Sequence, residues 1–271
     1  MYLVGTKNGL YEVKGKVERV CCDGEEVYDF LLRGKDLYVC SADSGVTLNG
    51  KKLLDDSCWR LYEYNGKLFA LVEGPKIYTL DDLKKKILDL SEEGKKLGWS
   101  FPHSEYAHIT DIAIYKGKFV ATVEEGNLLV GDELSSLKPI NFFADSHNLL
   151  PKWNKLFLAT ANGFYVTEDM SDFRLLTRGY FHGIEDLGNT LLAQKMSDHP
   201  LLLFNDSLES RTLEIVLPRP TFGTTAISRV NDNKIVYSTT SLYEINIGNT
   251  LTYEKIAEDI PMTRRIKVIY E

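Results

Sequence analysis

Lys155-Leu-Phe-Leu-Ala-Thr-Ala-Asn-Gly-Phe-Tyr-Val-Thr-Glu-Asp169 decides the fold. A nearly continuous apolar run meets Asn162-Gly163 and resumes as a second strand-like run, which is the pattern of a tight β-hairpin. Leu156 to Ala159 is apolar at every position instead of every second one, so this strand is expected to be covered on both faces. Working outward, 147–154 reads as an innermost strand before the hairpin and 173–177 as an outermost strand after it. The phrase returns at Tyr2-Leu-Val-Gly-Thr6, Leu37-Tyr-Val-Cys-Ser41, Leu68-Phe-Ala-Leu-Val72, Phe119-Val-Ala-Thr-Val123, Leu191-Leu-Ala-Gln-Lys195 and Ile235-Val-Tyr-Ser-Thr239. Asn8-Gly9 repeats the hairpin signal, and Asn65-Gly66, Lys116-Gly117 and Gly188-Asn189 mark the turn before the second strand in other repeats.

A four-stranded unit recurring at a fixed period of this length is a propeller blade. Seven steps of about 39 residues consume the 271 residues of the chain. The expected fold is all-β: one seven-bladed β-propeller domain over 1–271 with four-stranded antiparallel blades. The blades fall near 1–22 plus 262–271, 27–55, 59–90, 106–143, 147–177, 181–217 and 221–258. Because the chain opens on a second strand, Arg264-Arg-Ile-Lys-Val-Ile-Tyr-Glu271 is left to pair beside residues 2–6 as the innermost strand of the first blade. That pairing closes the ring and removes an open sheet edge. Leu83, Ile87 and Leu90 fit a helical stripe, but their place in the repeat predicts a turn followed by a strand over 86–90. Residues 91–105 read as an inserted loop.

A formal charge of −7 argues against a nucleic-acid partner, which needs a basic stripe. No apolar run approaches the length of a membrane span, and Tyr2 already opens a strand with no leader ahead of it. A cytoplasmic protein is expected, with neither nucleic acid nor membrane as partner. The Lys/Glu-rich composition with Gln194 as the one glutamine leans toward a thermophile. Cys21, Cys22, Cys40 and Cys58 lack zinc-site spacing, and Cys21-Cys22 on a continuous strand would point to opposite faces. Free buried thiols are expected; one bond from Cys21 or Cys22 to Cys40 or Cys58 is the alternative, as intracellular bridges occur in hyperthermophiles.

Leu156-Phe-Leu-Ala-Thr-Ala-Asn-Gly-Phe-Tyr-Val-Thr-Glu-Asp169, echoed by Gly5-Thr-Lys-Asn-Gly-Leu-Tyr11 and Ser238-Thr-Thr-Ser-Leu-Tyr243, resembles the repeat of sialidase-like propellers of the bacterial neuraminidase type. The resemblance implies the propeller but not the activity. Thr167-Glu-Asp169 continues as Met-Ser-Asp-Phe, so no intact Asp box (Ser-x-Asp-x-Gly-x-Thr-Trp) is present, and neither the arginine triad nor the Tyr-Glu pair of catalytic sialidases can be placed.

Function in a propeller concentrates where the loops entering the innermost strands converge. Equivalent positions there are Tyr28, Trp59, Thr110, His147, His182, Thr225 and Arg264, with Arg60, His108, Asp111 and Arg178 close in sequence. Tyr28, Trp59, Arg60, His108, Asp111, His147, Arg178, His182 and Arg264 are the candidate ligand-binding rim. Trp99, Phe101 and His103 on the inserted loop read as exposed aromatics suited to a protein partner. No metal ligand set or cofactor is assigned. The expected function is a cytoplasmic binding or scaffold module for a protein or a small anionic or sugar-like ligand. The alternative is a hydrolase, lactonase or lyase that uses the histidine-rich rim, with a metal held by histidines of different blades.

Overall fold

The apolar second strands fold as the sequence dictates: Lys67–Val72, Lys118–Val123 and Lys155–Thr160 each begin with a lysine outside the core and then bury five consecutive side chains. The computed structural model describes residues 1–81, 85–101, 106–248 and 250–270. Its strands form seven four-stranded antiparallel sheets, the blades of a seven-bladed β-propeller. Their innermost strands are Val27–Arg33, Cys58–Tyr64, Ile109–Tyr115, Ser146–Lys152, Phe181–Leu187, Ile227–Asn231 and, in the first blade, Thr263–Val268. The last pairs antiparallel with Tyr2–Thr6, Val4 opposite Ile266. The C-terminal strand therefore closes the ring, as the repeat arithmetic requires.

Two compact units divide the blades. One holds Met1–Val27 and Gly179–Glu271, with the first, sixth and seventh blades; the other holds Tyr28–Arg178, with the second to fifth. In the second unit, one apolar cluster lies at each junction between successive blades. Val46, Leu61 and Val72 belong to one, Leu71, Ile109 and Val123 to the next, and Leu128, Leu149 and Leu158 to the third. In the other unit Leu192, Ile227 and Tyr237 join blades six and seven, and Val4, Val236 and Ile266 join blades seven and one. Apolar surface on both faces of the second strand is what allows the third, fourth and seventh blades each to serve two such clusters.

Asn65 and Gly66 both take positive φ, as do Lys116 and Gly117. This is the conformation that two-residue hairpins with matching twist require. Lys86–Asp89 is the expected outermost strand. Within the segment expected to be a loop, Ser91–Leu97 is instead an α-helix that ends at Gly98, whose φ of 76° lets its N–H reach back to the helix carbonyls; residues 102–105 lie outside the described residues. The cysteines also correct the sequence reading. Cys40 and Cys58, both fully buried, form a disulfide between the second and third blades, while Cys21 and Cys22 are half-buried free thiols.

Candidate functional site

The pairing register slips at one residue near the start of the innermost strand in five blades, and the residue skipped is Trp59, Thr110, His147, His182 or Arg264. Each is the extra residue of a β-bulge, which turns a side chain out of the sheet's alternation. Five of the seven positions counted from sequence thus share one repeated backbone device. Thr225 differs: it precedes its innermost strand and makes an isolated parallel bridge to Arg265.

In the unit of blades two to five, the bulged Trp59 lies among other rings. The Trp59 ring stacks on His108 with centroids 4.1 Å apart and planes 12° from parallel. The Tyr28 ring is tilted against Trp59 with centroids 4.4 Å apart, and Phe101 meets Trp59 and His108 edge-on at 5.6 and 4.9 Å. Behind the rings is a cluster of acids and imidazoles. His108 Nε2 is 3.3 Å from Glu124 Oε2, and His147 Nε2 is 3.0 Å from Asp145 Oδ1. Ligand atoms of Glu124, Asp145 and His147 all lie within 4.8 Å of one another. The Glu124 N–H donates to the His108 carbonyl at 3.1 Å, and Thr110 Oγ1 donates to the Ser146 carbonyl at 2.7 Å, so blades four and five hold the cluster from both sides.

The electrostatics follow from burial. His108 is held neutral, its pKa lowered to about 3, first by desolvation and then by the charge of His147 nearby. Desolvation is also the main cause that raises Glu124 to about 7; Asp145 and Glu125 raise it further, and His147 opposes them. Among the described residues, the buried polar atoms Trp59 Nε1, His108 Nδ1 and Asp145 Oδ1 have no hydrogen-bond partner. The 3.0 Å approach of Asp145 to His147 therefore has the distance of an ion pair without hydrogen-bond alignment. Buried polar atoms are normally satisfied, and each one left unpaired costs about 1–3 kcal/mol.

One residue beyond the bulges, a second polar row ties the blades together. Asp29, fully buried, accepts the Leu61 N–H at 3.0 Å and the Phe30 N–H at 2.9 Å. Asp111 accepts the Leu149 N–H at 3.3 Å and the Asn148 side-chain amide. Arg60 stands between the two acids, its Nη2 2.8 Å from Asp111 Oδ1 and its Nε 3.9 Å from Asp29 Oδ2. Arg60 and Asp111 therefore belong to an inter-blade brace. The candidate Arg178 ends the outermost strand of blade five, paired with Gly163, and so lies at the blade's outer edge.

Trp99 also corrects the sequence reading. It is 8 % exposed, packs over Gly94 and Gly126, and donates its indole N–H to Asn127 Oδ1 at 2.9 Å. A partner-binding aromatic is therefore not what this residue supplies. His103 lies outside the described residues. In the other unit, His182 Nδ1 is 3.2 Å from Thr225 Oγ1, and Arg264 bonds Glu26 and the Phe222 carbonyl.

Glu124 and Asp145 are the residues that sequence reading missed. Asp145 is two residues before His147, and Glu124 stands in the turn between second and third strands, a turn type that shares the rim with the entering loops. Scanning those turns for acids gives the signal that would have found Glu124.

No protein-family model matches the chain, and no curated protein matches it. Among solved structures, it is similar to the computationally designed protein Ika8, with a TM-score of 0.64 at 13% identity, covering 99% of this chain and 87% of that one. AztD from Citrobacter koseri matches with a TM-score of 0.62 at 9% identity, over 98% of this chain and 96% of that one. A catalytically inactive variant of virginiamycin B lyase from Staphylococcus aureus, solved with quinupristin, matches at 0.61 and 12% identity, over 86% and 85%. These likenesses show the fold.

Proposed function

We propose that this chain is a propeller binding module that holds a divalent cation on Glu124, Asp145 and His147 and, through it, a small anionic or sugar-like ligand. The observation that carries the reading is the convergence of two carboxylates and an imidazole within 4.8 Å, beside buried polar atoms that have no hydrogen-bond partner among the described residues. Mixed nitrogen and oxygen donors of this kind suit Zn²⁺ or Mn²⁺. A cation also offsets the burial that disfavours the Glu124 carboxylate. The unpaired Trp59 N–H offers a donor to a ligand oxygen, and the Trp59 and Tyr28 rings offer stacking faces.

In this reading the seven blades act as one domain in the cytoplasm. The Cys40–Cys58 bond is compatible with that location because both sulfurs are fully buried, away from attacking thiolates. No described helix is long and apolar enough to cross a membrane. The sialidase-like resemblance contributes the repeat phrase alone.

The test is calorimetry with chelator-stripped protein and Zn²⁺ or Mn²⁺. One ion per chain is expected, bound at least about tenfold more weakly by Asp145→Asn and by His147→Ala. Absence of binding by the parent protein, or unchanged affinity in both variants, overturns the reading. The second reading, a lyase or hydrolase, draws on the same imidazole–carboxylate pair at 3.0 Å as an acid–base couple. Ion-dependent turnover of a lactone, glycoside or cyclic ester lost in His147→Ala would favour it.

A further inference from the structure

Cys21 and Cys22 are adjacent, and on a continuous strand their side chains would point to opposite faces. The outermost strand of the first blade, Val17–Cys21, ends at the first of them. Cys22 takes a positive φ of 65°, which breaks the alternation and places both sulfurs on one side, 2.7 Å apart. That separation lies inside van der Waals contact and needs to shrink by less than 1 Å to reach the roughly 2.05 Å of a disulfide.

The backbone around the pair is held from several directions. Cys21 pairs with Leu10 across the sheet, with Val20 as the extra residue of a bulge. The Cys22 carbonyl accepts the Glu25 N–H at 3.1 Å, the Glu25 carbonyl accepts the Gly9 N–H at 2.8 Å, and Asn8 Oδ1 accepts the Gly24 N–H at 3.1 Å. Gly9 has φ 115°, and a Cβ there would come within 2.8 and 2.9 Å of the Cys21 and Cys22 carbonyl oxygens. Only glycine lets the first hairpin press this closely on the dicysteine turn. Both thiols are half-buried, so they remain open to a small reagent, while the chain's other two cysteines are already bonded to each other.

We propose that Cys21–Cys22 is a peroxide-responsive vicinal dithiol, a redox modification site separate from the cation centre. The Cys21 thiolate attacks one oxygen of hydrogen peroxide or an organic hydroperoxide. The O–O bond breaks, giving a Cys21 sulfenic acid and releasing hydroxide or alkoxide. The Cys22 sulfur then attacks the Cys21 sulfur: the S–S bond forms, the S–O bond breaks, and the thiol proton leaves with that oxygen as water. The pair loses two electrons, and the peroxide gains them. The division of roles has a physical cause, since the hydrogen bond from Cys22 favours the thiolate of Cys21 and the same contact holds the proton on Cys22.

Tryptic peptide 20–33 carries both cysteines and neither of the other two, so mass spectrometry reads the site directly. The full-length protein, mildly reduced, is exposed to hydrogen peroxide, alkylated with iodoacetamide and digested. Peptide 20–33 should appear lighter by two hydrogens and without alkyl groups. In Cys22→Ser, Cys21 should be trapped by dimedone as the sulfenic acid. In Cys21→Ser, Cys22 should be oxidised at least about tenfold more slowly than Cys21 in the parent. A doubly alkylated peptide 20–33 under peroxide that oxidises free cysteine overturns the proposal. So does a dimer linked through these cysteines, or dimedone labelling of Cys22 in place of Cys21.

Discussion

Replacing Asp111 by alanine should destabilise the unit of blades two to five by about 3–4 kcal/mol. The structure sets the size of the effect. Asp111 is 5 % exposed and accepts the Leu149 N–H, the Asn148 amide and the Arg60 guanidinium. Breaking a buried ion pair from one side costs about 3–5 kcal/mol, because the surviving charge stays buried. Here Arg60 keeps a second acid, Asp29, at 3.9 Å, and its side chain is 18 % exposed, which moves the cost toward the lower end of that range. Leaving the Leu149 N–H unsatisfied moves it back up. Urea unfolding followed by tryptophan fluorescence is the assay, since Trp59, Trp99 and Trp153 all lie in this unit. The double variant Arg60→Met/Asp111→Leu removes both ends and should cost at least about 1.5 kcal/mol less than the sum of the two single changes. If Asp111→Ala costs under about 1 kcal/mol, or the single effects add within about 0.5 kcal/mol, the brace contributes nothing specific and water replaces it.

Two further outcomes follow from the same physics. In chelator-treated protein, the stability tied to the raised pKa of Glu124 is present below about pH 4.5 and lost as pH rises through about 7; that tied to the depressed pKa of His108 is present above about 6.5 and lost as pH falls toward about 3. The two slopes oppose each other between pH 4.5 and 6.5, so in Glu124→Gln the His108 slope alone should raise stability by about 2–3 kcal/mol across that window, against a flat parent curve in urea titrations. The disulfide joins residues 18 apart in sequence, so Cys40→Ala/Cys58→Ala should lower stability by about 3 kcal/mol through the freed unfolded chain, read as a shift in urea midpoint; a shift of zero would place the bond's effect outside chain entropy.

The strands, their order and the closing role of 263–268 were available in the linear chain because they rest on local chemistry. Apolar runs at successive positions demand cover on both faces, turn pairs such as Asn65-Gly66 accept positive φ, and a period that uses up the whole chain leaves its last strand to fill the first blade. Counting from the second strands also picks out Trp59, Thr110, His147, His182 and Arg264, which share a bulge, since a repeat transfers position from blade to blade. The helix at Ser91–Leu97 was not, because seven residues with Gly94 inside have little intrinsic helical preference; packing of Trp99 over that glycine supplies the stability.

What each side chain meets was decided in three dimensions. Cys40 found Cys58, Glu124 joined Asp145 and His147, Arg60 came to stand between Asp29 and Asp111, and Trp99 turned inward. Every one of these contacts joins different blades or a connecting segment to a blade. Their distances are set by how successive twisted sheets pack against each other, and that packing sums apolar contacts far apart in sequence that no local pattern encodes.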